Sequence, residues 1–153
     1  MALINEYKTI RDKAFDGQIA KTFAYTLEYV QVVGSVKPAQ GLARSGEYPG
    51  ASLPDENSTK EDFCGVVPYV FEYKGTYDEG DQINILGSGF IYVKVNGGCE
   101  RSGKVFWCIK GDDKGHFFGA KDENNVELDY ARFESKASDG EIVRMFIQLR
   151  AGA

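Results

Sequence analysis

Alternation of apolar and polar positions is most regular between residues 77 and 95. A polar turn ending in Gly80-Asp81 leads into a run where Ile83 and Ile85 face one way and Gln82 and Asn84 the other. Gly87-Ser88-Gly89 interrupts the run, and Ile91, Val93 and Val95 then fall on one face of a second run. Period-two alternation on both sides of a Gly-rich tripeptide predicts a β-hairpin that reverses at Gly87–Gly89, because Gly accepts positive φ without steric cost.

The same pattern predicts strands over 18–23, 27–33, 42–44, 104–109, 131–137 and 141–149, with a return strand beginning at His116. Val143, Met145, Ile147 and Leu149 share a core-facing side, whereas Ile142 and Phe146 on the other side call for cover by a neighbouring element or chain. Tyr69, Phe71 and Tyr73 share one face of a strand that begins anew, bulges or lies on an edge at Pro68, which has no N–H for a ladder. A unit of polar turn, Gly, polar residue and apolar run at 77–86 recurs at 99–109 and more weakly at 38–42. Residues 45–62, with Pro49-Gly50 and Leu53-Pro54, and residues 120–129 read as loops. A loop as long as 45–62 marks a candidate contact segment. In residues 1–16 the spacing of Leu3, Tyr7, Ile10 and Ala14 suits a short amphipathic helix, and an extended arm is the competing reading. The expected fold is all-β: an antiparallel β-sandwich or barrel of short strands (17–153, one domain) preceded by an N-terminal arm or short helix (1–16).

Composition supports this picture. A chain of 153 residues is enough for one self-supporting core, and its nine Tyr and ten Phe suit half-buried pleated surfaces. The net charge of −5 and the lack of a basic run argue against a nucleic-acid partner. No apolar run approaches the roughly 20 residues that span a bilayer, and the N-terminus lacks a signal-peptide pattern, so a soluble chain made in the cytoplasm with no membrane partner is expected.

Little in the chain is reactive. His116, the one histidine, follows a Gly turn without a flanking nucleophile. Cys64, Cys99 and Cys108 have no C-x-x-C spacing and read as free thiols, and the acidic clusters at 78–81, 112–113 and 122–123 do not follow calcium-loop spacing. No catalytic residue, cofactor or metal site is therefore expected. The stripe of Tyr69, Phe71 and Tyr73 could serve a sheet core, a protein interface or a sugar platform.

In serial order, several segments resemble the structural cement (decoration) proteins of tailed-phage capsids. They are Gly17-Gln18-Ile19-Ala20, Pro38-Ala39-Gln40-Gly41-Leu42, Leu53-Pro54, Phe63-Cys64-Gly65-Val66-Val67 and Tyr77-Asp78-Glu79-Gly80-Asp81. The likeness continues through Gly89 to Val95, Ser102 to Phe106, Ala131 to Ala137 and Gly140 to Val143. Gly103-Lys104 stands where that family leads one to expect Gly-Asp, and residues 111–129 are longer and more acidic. The resemblance implies a non-enzymatic protein on the capsid exterior that bridges major capsid protein subunits and associates with itself as a homodimer or homotrimer. Expected contact residues are Tyr7, Ile10 and Phe15 in the arm, Tyr48 and Leu53 in the loop, and Tyr69, Phe71 and Tyr73 in the aromatic strand. A carbohydrate-binding or host-attachment domain is the alternative.

Overall fold

The computed structural model describes residues 14–70 and 75–149. They form nine strands: β1 Thr26–Val32, β2 Gly41–Arg44, β3 Gly50–Ser52, β4 Phe63–Val66, β5 Gln82–Asn96, β6 Lys104–Cys108, β7 Phe117–Phe118, β8 Asn125–Phe133 and β9 Ile142–Gln148. No helix occurs among the described residues. The fold is all-β and barrel-like.

The expected hairpin at Gly87–Gly89 does not exist. β5 runs straight through it as one strand of 15 residues. Thr26 pairs with Ser88 and Leu27 with Leu86, so Gly87 is an extra residue on β5, a β-bulge. A bulge shifts the alternation by one residue and so exchanges the faces that odd and even positions occupy. Before it, Ile85 points into one core and Leu86 into another; after it, Ile91, Val93 and Val95 join Leu86. Gly89, at φ 137°, has Tyr25 against it: a Cβ there would lie 2.7 Å from the Tyr25 Cβ. The glycines make room for a crossing chain rather than a reversal.

β5 is the shared wall of two closed circuits. One runs β1-β3-β2-β4-β5 and returns by the β1–β5 pairing; the other runs β5-β7-β6-β8-β9 and returns by β5–β9. Closure removes exposed edges that would otherwise seek partners. The expectation of a purely antiparallel arrangement fails at two short pairings, β1–β3 and β5–β7, which are parallel. The first core holds Val30, Val32, Leu42, Cys64, Val67 and Ile85; the larger second core holds Phe63, Leu86, Trp107, Phe117, Phe133 and Met145.

A local device launches four of the strands. Val36, Tyr77, Cys99 and Ala137 each make an isolated bridge, and these pair as Val36↔Tyr77 and Cys99↔Ala137. Three residues beyond each lies a positive-φ position: Ala39, Gly80, Ser102 and Gly140. The next residue closes the turn by backbone N–H donation, Gln40 to Lys37, Asp81 to Asp78, Gly103 to Glu100 and Glu141 to Ser138. In three of the four, that residue's side chain also accepts the N–H of Lys37, Asp78 or Ser138. Gly103 has no side chain to do so. Three of these units echo one another in the sequence; the fourth, at 137–141, includes Ser138-Asp139-Gly140, which the sequence marks as a turn between two strands.

Other boundaries differ. Residues 18–23 are not a strand: Ile19 makes a single bridge to Ile91, and the chain turns as Phe23 N–H donates to the Ala20 carbonyl. This turn faces the point where β5 bulges, so pairing along that edge of β5 breaks off and resumes with β1. The 45–62 segment contains β3, whose three residues pair with both β1 and β2. Likewise β8 begins at Asn125 inside the expected 120–129 loop and ends at Phe133, short of Ala137.

Candidate interaction surface

Beyond the bulge, the face of β5 opposite the second core carries Phe90, Tyr92 and Lys94. Its neighbours are set by register: Phe90 lies across from Phe146, Tyr92 from Arg144 and Lys94 from Ile142, while Arg132 of β8 lies across from Phe146. The Phe90 and Phe146 rings sit 4.9 Å apart, and Phe23, delivered by the 20–23 turn, packs 4.6 Å from Phe90. The Arg144 guanidinium lies 4.9 Å from the Phe23 ring and 5.1 Å from Phe90, and Arg132 lies 5.2 Å over Phe146. The cover anticipated for Phe146 thus comes from Phe90 and Arg132, whereas Ile142 stays 39% exposed.

Phe23 also begins an apolar belt. Every residue from Lys21 to Tyr29 is exposed, including Phe23, Tyr25, Leu27 and Tyr29 at 39–44%. In β1 only Val30 and Val32 reach the first core. These partly exposed apolar side chains form a candidate interaction surface.

The sequence-derived contact residues are placed unevenly. Phe15, half exposed, stacks on Tyr69 with ring centroids 5.1 Å apart and planes 14° off parallel. That pair borders a groove of about 990 Å³, lined also by Tyr25, Leu27 and Ile83, so it adjoins the belt. The segment is pinned by Tyr69 N–H donating to the Gly17 carbonyl and Lys94 N–H donating to Asp16 Oδ1. Burial raises the Asp16 carboxyl above the usual range, against the lowering effect of the Lys94 N–H. Tyr48 is 86% exposed in the β2–β3 connection. Leu53 is half-buried against the first core, which leaves it little surface to offer. Tyr7, Ile10, Phe71 and Tyr73 lie outside the described residues. The belt residues Phe23, Tyr25, Leu27 and Tyr29 were not singled out; their alternation was visible, but the same alternation describes a strand face turned inward.

A second concavity, about 950 Å³, lies between the circuits and includes Arg44, Lys60, Asp129, Tyr130 and Arg132. Within it Lys60 Nζ lies 2.8 Å from Asp129 Oδ2, Arg44 Nη1 donates to the Glu61 carbonyl, and Tyr130 Oη donates to the Lys60 carbonyl at 2.7 Å. Burial, with Asp129 and Glu61 nearby, pushes the Tyr130 phenol up, so it stays a donor.

The cysteines are free, buried and bonded to carbonyls: Cys64 to Leu42, Cys99 to Ser135 and Cys108 to Lys110. Burial raises all three thiols, Cys64 to about 12. Among the described residues no group of three metal-ligating side chains converges. His116 occupies a tight turn, its N–H donating to Asp113 and its carbonyl accepting from Cys108.

The fold is similar to a chain in the capsid of Myoviridae phage XM1, with TM-score 0.73 and 12% identity over 88% of this chain and 90% of that one. It is also similar to the N base of head fiber gp8.5 in bacteriophage phi29, with TM-score 0.51 and 17% identity over 83% and 99%. At such identities these likenesses concern the fold. No curated protein matches the chain significantly. A family model described as XM1 gp53 minor capsid protein matches residues 4–147. The chain therefore belongs to the XM1 gp53 minor capsid protein family, a family of structural components of the phage capsid.

Proposed function

We propose that this protein decorates the exterior of a tailed-phage head and bridges neighbouring major capsid protein subunits, stabilising the shell. The observation that carries the reading, given the family, is the partly exposed belt of Phe23, Tyr25, Leu27 and Tyr29, extended by the Phe15–Tyr69 stack. A fully buried aromatic contributes about 150–250 Å², so covering what these residues still expose removes roughly 400–500 Å² from water. At about 25 cal/mol per Å² this is worth roughly 10 kcal/mol before costs. Lost rigid-body freedom costs about 4–15 kcal/mol. One copy on one subunit is therefore marginal, and contact with several subunits, or association as a homodimer or homotrimer, supplies the remaining affinity through effective concentration. The arm with Tyr7 and Ile10, the connection bearing Tyr48, and Phe71 and Tyr73 beyond Tyr69 are further proposed contacts.

The test is to add purified protein to shells assembled without it and to image them by electron microscopy. Extra density on the outside, at junctions between subunits, is the expected result. Failure to co-sediment, or density on the inner wall, overturns the proposal. A second reading rests on Tyr25 and Tyr29, two half-exposed rings just before and within β1 that could serve a sugar; binding on a glycan array without binding to shells would favour it.

A further inference from the structure

We infer that Arg144 receives a carboxylate of the capsid subunit, which makes the outer face of β9 the charged half of the contact whose apolar half is the belt. The inference rests on the capsid-binding reading and names the chemistry of its partner.

The arrangement is built rather than incidental. The Arg144 guanidinium lies over the adjoining Phe23 and Phe90 rings, each within about the 6 Å at which a cation feels the ring quadrupole. A guanidinium over aromatic rings keeps its charge and its planar fork of N–H donors, which matches a carboxylate bidentately. No hydrogen bond from the Arg144 side chain and no ion pair to it occurs among the described residues. The carboxylate best placed to neutralise it is Glu134, whose backbone N–H donates to the Arg144 carbonyl across β8–β9. Glu134 turns to Arg132 instead, with Oε1 3.8 Å from Nε. A chain of net charge −5 thus leaves this guanidinium unmatched on a face it shares with Tyr92, Phe146 and Arg132. Arg beside aromatic rings is the composition that dominates binding energy at protein interfaces. A purely structural clamp on the 20–23 turn would account for the stacking but not for the unmatched N–H donors.

The experiment measures binding of the full-length protein to shells lacking it, for the wild type, Arg144→Lys and Arg144→Glu, with thermal unfolding of each. The expected result is about a tenfold or greater loss of affinity for Arg144→Lys, which keeps the charge and loses the planar fork, and a larger loss for Arg144→Glu. Wild-type affinity should also fall as salt rises. If the wild type binds and Arg144→Lys binds equally well, or if wild-type binding ignores salt, this inference is wrong while the capsid reading stands. If the wild type does not bind shells, both are wrong. Equal losses of affinity and thermal stability, with full binding once the variant is cooled below its transition, would reduce Arg144 to a clamp.

Discussion

The indole N–H of Trp107 donates to the carbonyl oxygen of Gly41 at 3.1 Å and so ties β6 of one circuit to β2 of the other. Trp107 is fully buried, and Phe63 meets its ring edge-on at 5.0 Å. A Cβ on residue 41 would stand 2.7 Å from the Phe63 ring, 2.8 Å from Trp107 Nε1 and 3.0 Å from Phe117, none of which has room to withdraw. Gly41→Ala should cost about 1–3 kcal/mol in urea unfolding, the usual range for overpacking. Wild-type stability in that variant would show that the rings yield more easily than their packing implies.

Gly89 governs the crossing at the bulge. Its Cβ would meet both Cβ and Cα of Tyr25, at 2.7 and 3.2 Å, in a backbone conformation that L side chains rarely adopt. Gly89→Ala should lower stability by about 1–3 kcal/mol. It should also lift the 23–25 segment from β5, seen as shifted aromatic resonances of Phe23 and Phe90 in NMR spectra. Unchanged spectra would mean that the crossing tolerates a methyl group.

Asp16 makes the pH dependence informative. Its folded pKa lies above the unfolded value, chiefly through burial. A raised carboxyl pKa means that the folded state holds its proton more tightly, so this group favours folding below the unfolded pKa of about 3.9 and opposes it as pH rises through the folded value. Asp16→Asn keeps an oxygen for the Lys94 N–H. It should melt higher than wild type at neutral pH, with the difference vanishing in acid. Glu141 acts in the opposite sense: the Ser138 backbone N–H and hydroxyl lower its pKa, so its turn weakens as pH falls through the carboxylate range. A melting difference for Asp16→Asn that grows toward low pH would contradict the assignment.

Thiol labelling should report global opening. With each Sγ buried and hydrogen-bonded and its pKa raised, little thiolate forms in the folded protein at mildly alkaline pH. Ellman's reagent should leave the native protein untouched and react with three thiols in urea. Rapid labelling of one cysteine in buffer would reveal local opening near it.

The Phe15–Tyr69 stack can be weighed directly. A double-mutant cycle with Phe15→Ala and Tyr69→Ala should return a coupling of about 0.5–1.5 kcal/mol. A coupling near zero would show that the segment is held by Asp16 and Gly17 alone.

Much of the fold could be read from local pattern. The core face of β9, the start of β6 and three of the four launching turns follow from alternation and turn chemistry that each segment carries within itself. What escaped reading was decided by distant partners. Gly87-Ser88-Gly89 is as suitable for a bulge as for a reversal, and only the passage of Tyr25 over Gly89 selects the bulge. β3 is three residues long beside Pro49 and exists because β1 and β2 flank it. The surface was harder still. Phe15 stands out in the arm and Tyr69 in the aromatic stripe, but the 23–29 alternation does not say whether that face looks inward, and Arg144 gains Phe90 through strand register and Phe23 through a turn.

The wall common to both circuits leaves this protein without a detachable half. A nick within β5, or a pull that draws it out, unseals both rings together, because neither closes without it. Construction meets the same constraint: β1 must find a partner fifty-odd residues downstream, and β9 the same strand about as far upstream, before anything is enclosed. Such distant pairings make for slow assembly, on the order of milliseconds to seconds. Cutting the chain within β5 should therefore yield fragments that do not fold, not a smaller working piece.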